Sequence, residues 1–198
     1  MAEQGDLPAV EDKEEETPGY KPPAEMPVSK ILELDKEDES LRKYKEALLG
    51  SADADKIILF PENPRNVIVS KLAMVVEGRD DFELDLSGDI NSLKSKPCTV
   101  KEGCQYQMKI YFYVQRDIVT GLRYVQKSYR KGILVDTQKV MVGSFPPKKE
   151  LQSFLCPMEH APTGMLMRGT FNVKSLFTDD DKNEYLKWEW AIELKKDW

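Results

Sequence analysis

The chain has 198 residues, of which 32% are charged and 40% hydrophobic, and its formal net charge is −6. This negative balance disfavours nucleic acid or an anionic membrane as the main partner. No apolar run approaches the roughly 20 residues that a membrane-spanning helix requires, so we expect no stable membrane insertion. Three cysteines that cannot all pair with one another, and no signal peptide, predict a reducing, cytoplasmic setting.

The composition of residues 1–30 predicts a disordered acidic tail. They contain the run EDKEEE and prolines at positions 8, 18, 22, 23 and 27. Such a composition buries too little apolar surface to offset the entropy lost on ordering. A solubilising tail with no further role is the alternative interpretation.

Residues 31–65 predict an arm and a connector, with short helical stretches at about 29–34 and 39–49. The second stretch has Asp38 at the N-cap position and Gly50 at the position after its end. Its apolar stripe is narrow and consists of Leu41, Tyr44, Leu48 and Leu49. Isolated helices this short are marginal in water, so this one needs a surface to fold against. The surface belongs either to its own domain or to a partner.

From residue 66 to residue 198 the apolar period changes from 3.6 to 2, which predicts strands with one apolar face. The clearest alternations are Tyr106, Met108, Ile110, Phe112 and Val114, and later Trp188, Trp190, Ile192 and Leu194. Short strands without intervening amphipathic helices indicate an antiparallel β-sandwich of immunoglobulin-like architecture. The fold class is therefore mainly β, preceded by a flexible, partly helical arm.

Residue patterns for catalysis or metal binding are absent from the sequence. His160 is the only histidine and has no neighbouring nucleophile signature. The three cysteines have no zinc-finger spacing, and no phosphate-binding glycine motif is present. The cluster FTDDDKNEY lacks the glycine and alternating ligands of a calcium loop. It is either a solvated acidic turn or a contact for an arginine on a partner. We predict no enzyme activity, no cofactor and no metal.

Several long motifs together resemble the Rho GDP-dissociation inhibitors, in order and without large gaps from about residue 20 to residue 198. They are YKPP, LDKEDESLRKYKEALLG, ELDLSGD, VKEG, RDIVTGLRYVQKSYRKG, MVGS, APTGMLMRGTF, FTDDDK and LKWEWAIELKKDW. The resemblance implies a heterodimer with prenylated, mainly GDP-bound, Rho-family small GTPases. The arm would fold as a helical hairpin over the GTPase switch regions and block GDP release. The sandwich would shelter the geranylgeranyl group and so extract the GTPase from membranes.

The resemblance also implies three sets of contact residues. In the arm, Asp38 and Ser40 would contact the switch region with Tyr44 packed nearby. In the sandwich, Met74, Ile118, Val173 and Trp190 match prenyl-pocket positions, and strand parity adds Tyr106 and Leu122. Trp188 shares a strand face with Trp190, and its role as lipid contact or as ordinary core stays open. An acidic patch for the basic segment before the prenylated cysteine would comprise Asp136, Glu159, Asp179, Asp180 and Asp181.

A general prenyl- or acyl-binding chaperone of the same sandwich type is the alternative function. The arm distinguishes the two interpretations, because ESLRKYKEALLG is not needed for lipid binding alone.

Overall fold

The computed structural model describes residues 57–198, which form two facing β-sheets. The predicted tail, the predicted helices and the residues Asp38, Ser40 and Tyr44 lie outside the described residues. Ten strands follow in chain order: β1 Val67–Val75, β2 Phe82–Asp85, β3 Cys98–Lys101, β4 Gln105–Val114, β5 Val119–Arg130, β6 Ile133–Phe145, β7 Gln152–Leu155, β8 Glu159–His160, β9 Gly169–Thr178 and β10 Glu184–Lys195. Two 3₁₀ helices, Ile90–Ser95 and Met165–Met167, occupy connections.

The first sheet has the order β2-β1-β4-β7, with β8 paired to the start of β4. The second has the order β3-β10-β9-β5-β6. One core cluster contains buried side chains from both sheets, and the rings of Phe112 on β4 and Phe177 on β9 lie 5.4 Å apart across it. The predicted mainly β sandwich is confirmed.

The pairing of β3 with β10 departs from the predicted antiparallel arrangement. Cys98 lies opposite Ile192 and Val100 opposite Leu194, in a parallel register. The four-residue strand CTVK is too short to give a periodic signal, and its partner lies almost a hundred residues further on. Parallel neighbours need a long connection, which the intervening strands provide here.

The predicted alternation on β4 corresponds to the observed burial. Met108, Ile110, Phe112 and Val114 are buried, whereas the residues between them are partly exposed. On β10, Trp188, Trp190 and Leu194 are buried as expected, and Ile192 is partly exposed. Ile192 borders a cavity, which accounts for its remaining exposure.

The segment from Ile57 to Asn66 packs against the end of β4, so the packed part of the chain begins earlier than residue 66. The Arg116 amide donates to the Ile57 carbonyl at 2.9 Å, and the Gln115 amide donates to Asn66 at 2.8 Å. The Phe60 ring meets Tyr113 edge to face at 5.4 Å. Backbone hydrogen bonds therefore attach this connector to the sandwich.

Candidate functional site

A cavity of about 460 Å³ opens between the two sheets at the end where β5 turns into β6. Its lining is Val100, Tyr106, Ser128, Val135, Asp136, Gln138, Met158, Glu159, His160, Ala161, Pro162, Met167, Phe171, Ile192 and Leu194. Apolar side chains dominate this set, and its carboxylates come from β6 and β8. Ligand pockets in proteins combine such an apolar lining with a few polar groups.

The polar side of the cavity contains a tyrosine–glutamate pair. Because β8 pairs with the start of β4, Tyr106 lies opposite Glu159, and its hydroxyl donates to Glu159 Oε2 at 2.6 Å. Burial raises the pKa of Tyr106, and the charges of Glu159 and then Asp136 raise it further. The phenol therefore stays neutral and acts as the donor in this pair.

Two of the predicted lipid contacts lie next to this cavity. In the strand register Ser128 lies opposite both Asp136 and Val173, and Val173 lies opposite Trp190. Val173 and Trp190 thus share one transverse row with two lining residues, and both are buried.

Met74 approaches the same region from the facing sheet. It is buried on β1, opposite Met108 of β4. Its sulfur lies 3.6 Å from the Cys98 Sγ, and Cys98 lies opposite the cavity residue Ile192. A flexible thioether here can adapt to an irregular space.

Leu122 and Ile118 lie towards the other end of the sandwich. Leu122 is buried opposite Gly143, and Ile118 is half-buried just before β5 begins. At about 3.3 Å per residue, Ile118 is about 30 Å from Ser128 along the strand. The structure therefore does not bring these two residues to the cavity.

A buried hydrogen-bond network crosses the inner face beyond Trp190, and sequence reasoning did not identify it. The Trp190 Nε1 donates to Ser175 Oγ at 3.0 Å, and Ser175 lies 3.0 Å from the Tyr124 hydroxyl, which donates to Gln126 at 2.8 Å. Ser175 and Gln126 occupy inward positions of β9 and β5 where apolar residues are the rule. The sequence signal that could have revealed this network is the presence of polar residues at inward strand positions.

Trp188 packs against this network without joining it. Its ring stacks on Tyr124 with centroids 5.9 Å apart, and its buried Nε1 has no hydrogen-bond partner among residues 57–198. The structure thus places it in the core one row beyond Trp190.

The five predicted acidic contacts do not form one patch. Asp136 and Glu159 line the cavity, whereas Asp179, Asp180 and Asp181 form the turn between β9 and β10. Arg123, the partner of Asp180, is five residues from Ser128 on β5, which is about 17 Å along the strand. The sequence could not show this separation between the two groups of acidic residues, because it depends on the register of distant strands.

Within the turn, the three aspartates have different surroundings. Asp179 is buried and accepts from the Asn183 amide at 2.9 Å, its side-chain nitrogen at 3.0 Å and the Tyr185 hydroxyl at 2.5 Å. Of the two interpretations of this cluster, the solvated acidic turn therefore does not hold for Asp179. Asp180 is half-exposed and pairs with Arg123 at 3.2 Å. Burial and its two acidic neighbours raise the pKa of Asp181.

Gly121 allows Asp180 to reach Arg123. Its φ is +61°, and a Cβ at this position would lie 1.8 Å from Asp180 Oδ2. Any other residue would combine backbone strain with displacement of the carboxylate.

An exposed apolar loop borders the cavity. Met165 and Leu166 are 77% and 82% exposed, and the adjoining Met167 lines the cavity. The loop is held from both sides: Arg130 donates to the carbonyls of Leu166 and Arg168, and Arg168 forms a two-point ion pair with Glu102.

Groups suited to covalent chemistry are not assembled in the described part of the chain. Burial raises the pKa of the Cys98 and Cys156 thiols to about 12, so neither is a thiolate at neutral pH. No cluster of three or more metal-ligating side chains occurs between residues 57 and 198. Within the same residues, no helix is both long and apolar enough to cross a membrane.

Comparison with known proteins gives a consistent result over almost the whole chain. The family model for the RHO protein GDP dissociation inhibitors matches residues 6–197. Rho GDP-dissociation inhibitor 1 of Rattus norvegicus is 49% identical over 97% of this chain and 93% of its own length. The Homo sapiens protein of the same name is 48% identical over the same shares, and a putative Rho GDP-dissociation inhibitor 1 of Dictyostelium discoideum is 40% identical over 94% and 95%.

Proposed function

We propose that this chain, which belongs to the Rho GDP-dissociation inhibitor family, forms a heterodimer with prenylated, GDP-bound Rho-family GTPases. Members of this family are regulatory inhibitors and not enzymes. The sandwich holds the geranylgeranyl group, the arm blocks GDP release, and the complex resides in the cytoplasm.

The observation that carries the lipid part of this proposal is the apolar cavity between the sheets. Transferring a prenyl chain out of a bilayer forfeits about 0.8 kcal/mol per CH₂-sized unit, so the protein must offer a comparably apolar environment. The walls formed by Phe171, Ile192 and Leu194 provide one. The lipid enters there and extends towards Val173, Trp190 and Met74.

The carboxylates at the cavity support a contact with the protein segment that carries the lipid. Asp136 is exposed and Glu159 is partly exposed at the opening. Negative charge beside an apolar opening attracts a lysine- or arginine-rich segment and aligns it before the lipid enters. The basic residues that precede the prenylated cysteine bind here. Asp180 and Asp181, at the far end, form a separate contact.

The arm inhibits the release of GDP from the bound GTPase. Asp38 and Ser40 contact the switch region and Tyr44 packs beside them. The narrow apolar stripe supports this assignment, because a partner surface completes the burial that the helix lacks.

One experiment tests the proposal as a whole. Membranes carrying prenylated Rho-family GTPases are incubated with the protein and sedimented, and the supernatant is assayed for GTPase. We expect the GTPases in the supernatant with their GDP retained. GTPases that stay on the membrane, or that leave it while releasing GDP at the uninhibited rate, would contradict the proposal.

A matched pair of variants locates the lipid. Val173→Asp places a carboxylate in the row beside the cavity, and Ile118→Asp places one at the opposite end. We expect Val173→Asp to abolish extraction, since an unpaired charge against an apolar chain is strongly unfavourable. The sequence-based prediction is that Ile118→Asp also reduces it. A folded Ile118→Asp protein with full extraction would remove Ile118 from the lipid path and leave the cavity end as the site.

The general prenyl chaperone remains the second candidate. It is favoured if the protein extracts prenylated proteins outside the Rho family equally well and does not slow GDP release.

A further inference from the structure

Gln115 uses the full hydrogen-bonding capacity of its side chain to hold the connector. The residue is completely buried at the end of β4. Its Oε1 accepts from the amides of Leu59 and Phe60 at 3.1 and 3.0 Å. Its Nε2 donates to the carbonyls of Asn63 and Arg65 at 3.0 and 2.7 Å. A glutamine amide has two acceptor sites and two donor hydrogens, so all four are used.

Arg116 strengthens the same attachment from an unusual backbone conformation. Its φ is +68°, a left-handed value that is uncommon outside glycine. In this conformation its amide donates to Ile57 and its Nη2 donates to the Asn63 carbonyl at 2.9 Å. We call Gln115 and Arg116 together the connector clasp.

The clasp makes more hydrogen bonds to residues 57–65 than the sandwich needs for its own strand pairing. Asn66 already leads directly into β1, so the sandwich does not need residues 57–65 to be held for its own strand pairing. A buried amide with every donor and acceptor satisfied, as in the Gln115 side chain, specifies one geometry. Here the geometry that is specified is the point at which the preceding residues leave the sandwich.

We propose that the connector clasp is a positioning device that anchors the inhibitory arm at Ile57, which shortens its tether. This inference rests on the proposed function of the arm. From the predicted helix end, seven residues (50–56) reach an anchor at Ile57, whereas sixteen (50–65) reach one at Asn66. Effective concentration falls roughly as the −3/2 power of tether length, so release of the clasp lowers it about threefold.

The test uses the full chain with two clasp variants and one control. Gln115→Met keeps the length of the side chain and removes the four hydrogen bonds. Arg116→Gly removes the guanidinium and suits the left-handed backbone, so it keeps the fold even if Gln115→Met does not. Val142→Ala, in a buried position of β6, is a control for general destabilisation.

Three measurements are made on each protein. Hydrogen exchange reports on the amides of Leu59 and Phe60. A fluorescent geranylgeranyl-cysteine reports lipid affinity, and the rate of GDP release from a prenylated Rho-family GTPase reports the action of the arm.

In the clasp variants we expect faster exchange at both amides, unchanged lipid affinity, and about threefold more inhibitor needed to suppress GDP release by half. Val142→Ala should leave the last value unchanged. Faster exchange with wild-type suppression of GDP release would overturn the inference, as would an equal loss in Val142→Ala. Wild-type protein that fails to slow GDP release would instead overturn the proposed function of the arm.

Discussion

Asp179 and Asp181 are two residues apart, yet the Asp179 carboxylate stabilises the fold whereas the ionised Asp181 carboxylate destabilises it. Asp179 accepts three hydrogen bonds and therefore holds the β9–β10 turn together. Asp181 lies partly buried beside Asp179 and Asp180, and its pKa is raised by burial and then by those charges. A carboxyl with a raised pKa is less favourable when ionised in the folded state than in the unfolded state. Ionised Asp181 thus reduces stability at neutral pH.

We expect Asp181→Asn to raise the melting temperature at pH 7, by about 1–3 °C for a chain of this size. The gain should shrink as pH falls through the raised folded pKa and disappear below the unfolded value near 3.9, because Asp181 is then neutral in both states. Thermal melting between pH 3 and pH 8 measures it. Asp80→Asn, an exposed residue between β1 and β2, makes the same charge change and should give no comparable gain.

Glu159 is the carboxylate at the cavity that the Tyr106 hydroxyl orients. Glu159→Gln keeps an acceptor for that hydroxyl and removes the charge. We expect weaker binding of a lysine-rich prenylated peptide, by about three- to tenfold at low salt. The loss should diminish as ionic strength rises, since salt screens the attraction. The affinity for prenyl-cysteine without basic residues should stay the same, and a parallel fall in both affinities would contradict an electrostatic role.

At the scale of elements, the loop that carries Met165–Met167 is held by a clamp on the turn after β3. Glu102 accepts from Arg168 Nε at 2.9 Å, from Nη2 at 2.7 Å and from the Gly164 amide at 3.1 Å. These contacts hold the pKa of Glu102 below its usual range, with Arg168 the largest cause. The clamp therefore depends on an ionised carboxylate, and it positions an apolar loop beside the cavity.

We expect Glu102→Gln to lower the melting temperature at pH 7 and to speed hydrogen exchange at Gly164. A depressed pKa contributes stability above the unfolded value near 4.3, and that contribution is lost as pH falls through the folded value. The difference in melting temperature between variant and wild type should therefore shrink as pH falls below about 4.3 and through the lowered folded pKa of Glu102. Arg168→Lys keeps the charge but not the two-point geometry, and it should give an intermediate result. A difference that does not shrink at all on acidification would assign the effect to packing.

At the scale of the whole molecule, the proposed function assigns lipid binding and control of nucleotide release to separate parts of the chain. The cavity lies within the sandwich, and the proposed switch contacts lie in the arm before Ile57. The clasp is the place where the two parts are joined.

This division predicts that Asp38→Ala with Ser40→Ala weakens suppression of GDP release and leaves prenyl-cysteine binding intact. Hydrogen bonds to charged groups contribute about 1.5–3 kcal/mol each, so the first effect should exceed tenfold. Val173→Asp should show the reverse pattern, with lipid binding lost first. The same two assays are applied to both proteins, and a parallel loss of both activities in either variant would contradict the division.

The sequence by itself determined the mainly β class, the inward faces of β4 and β10, and membership of the family, because alternation and long motifs are local properties of the chain. Tertiary structure decided what depends on register between distant strands. It paired β3 with β10 in parallel and placed Val173 and Trp190 beside the cavity. It also placed Ile118 at the end of the sandwich opposite the cavity, and it separated the acidic residues into two groups. The role of Gln115 depends in the same way on contacts about fifty residues away, and no local pattern encodes such a contact.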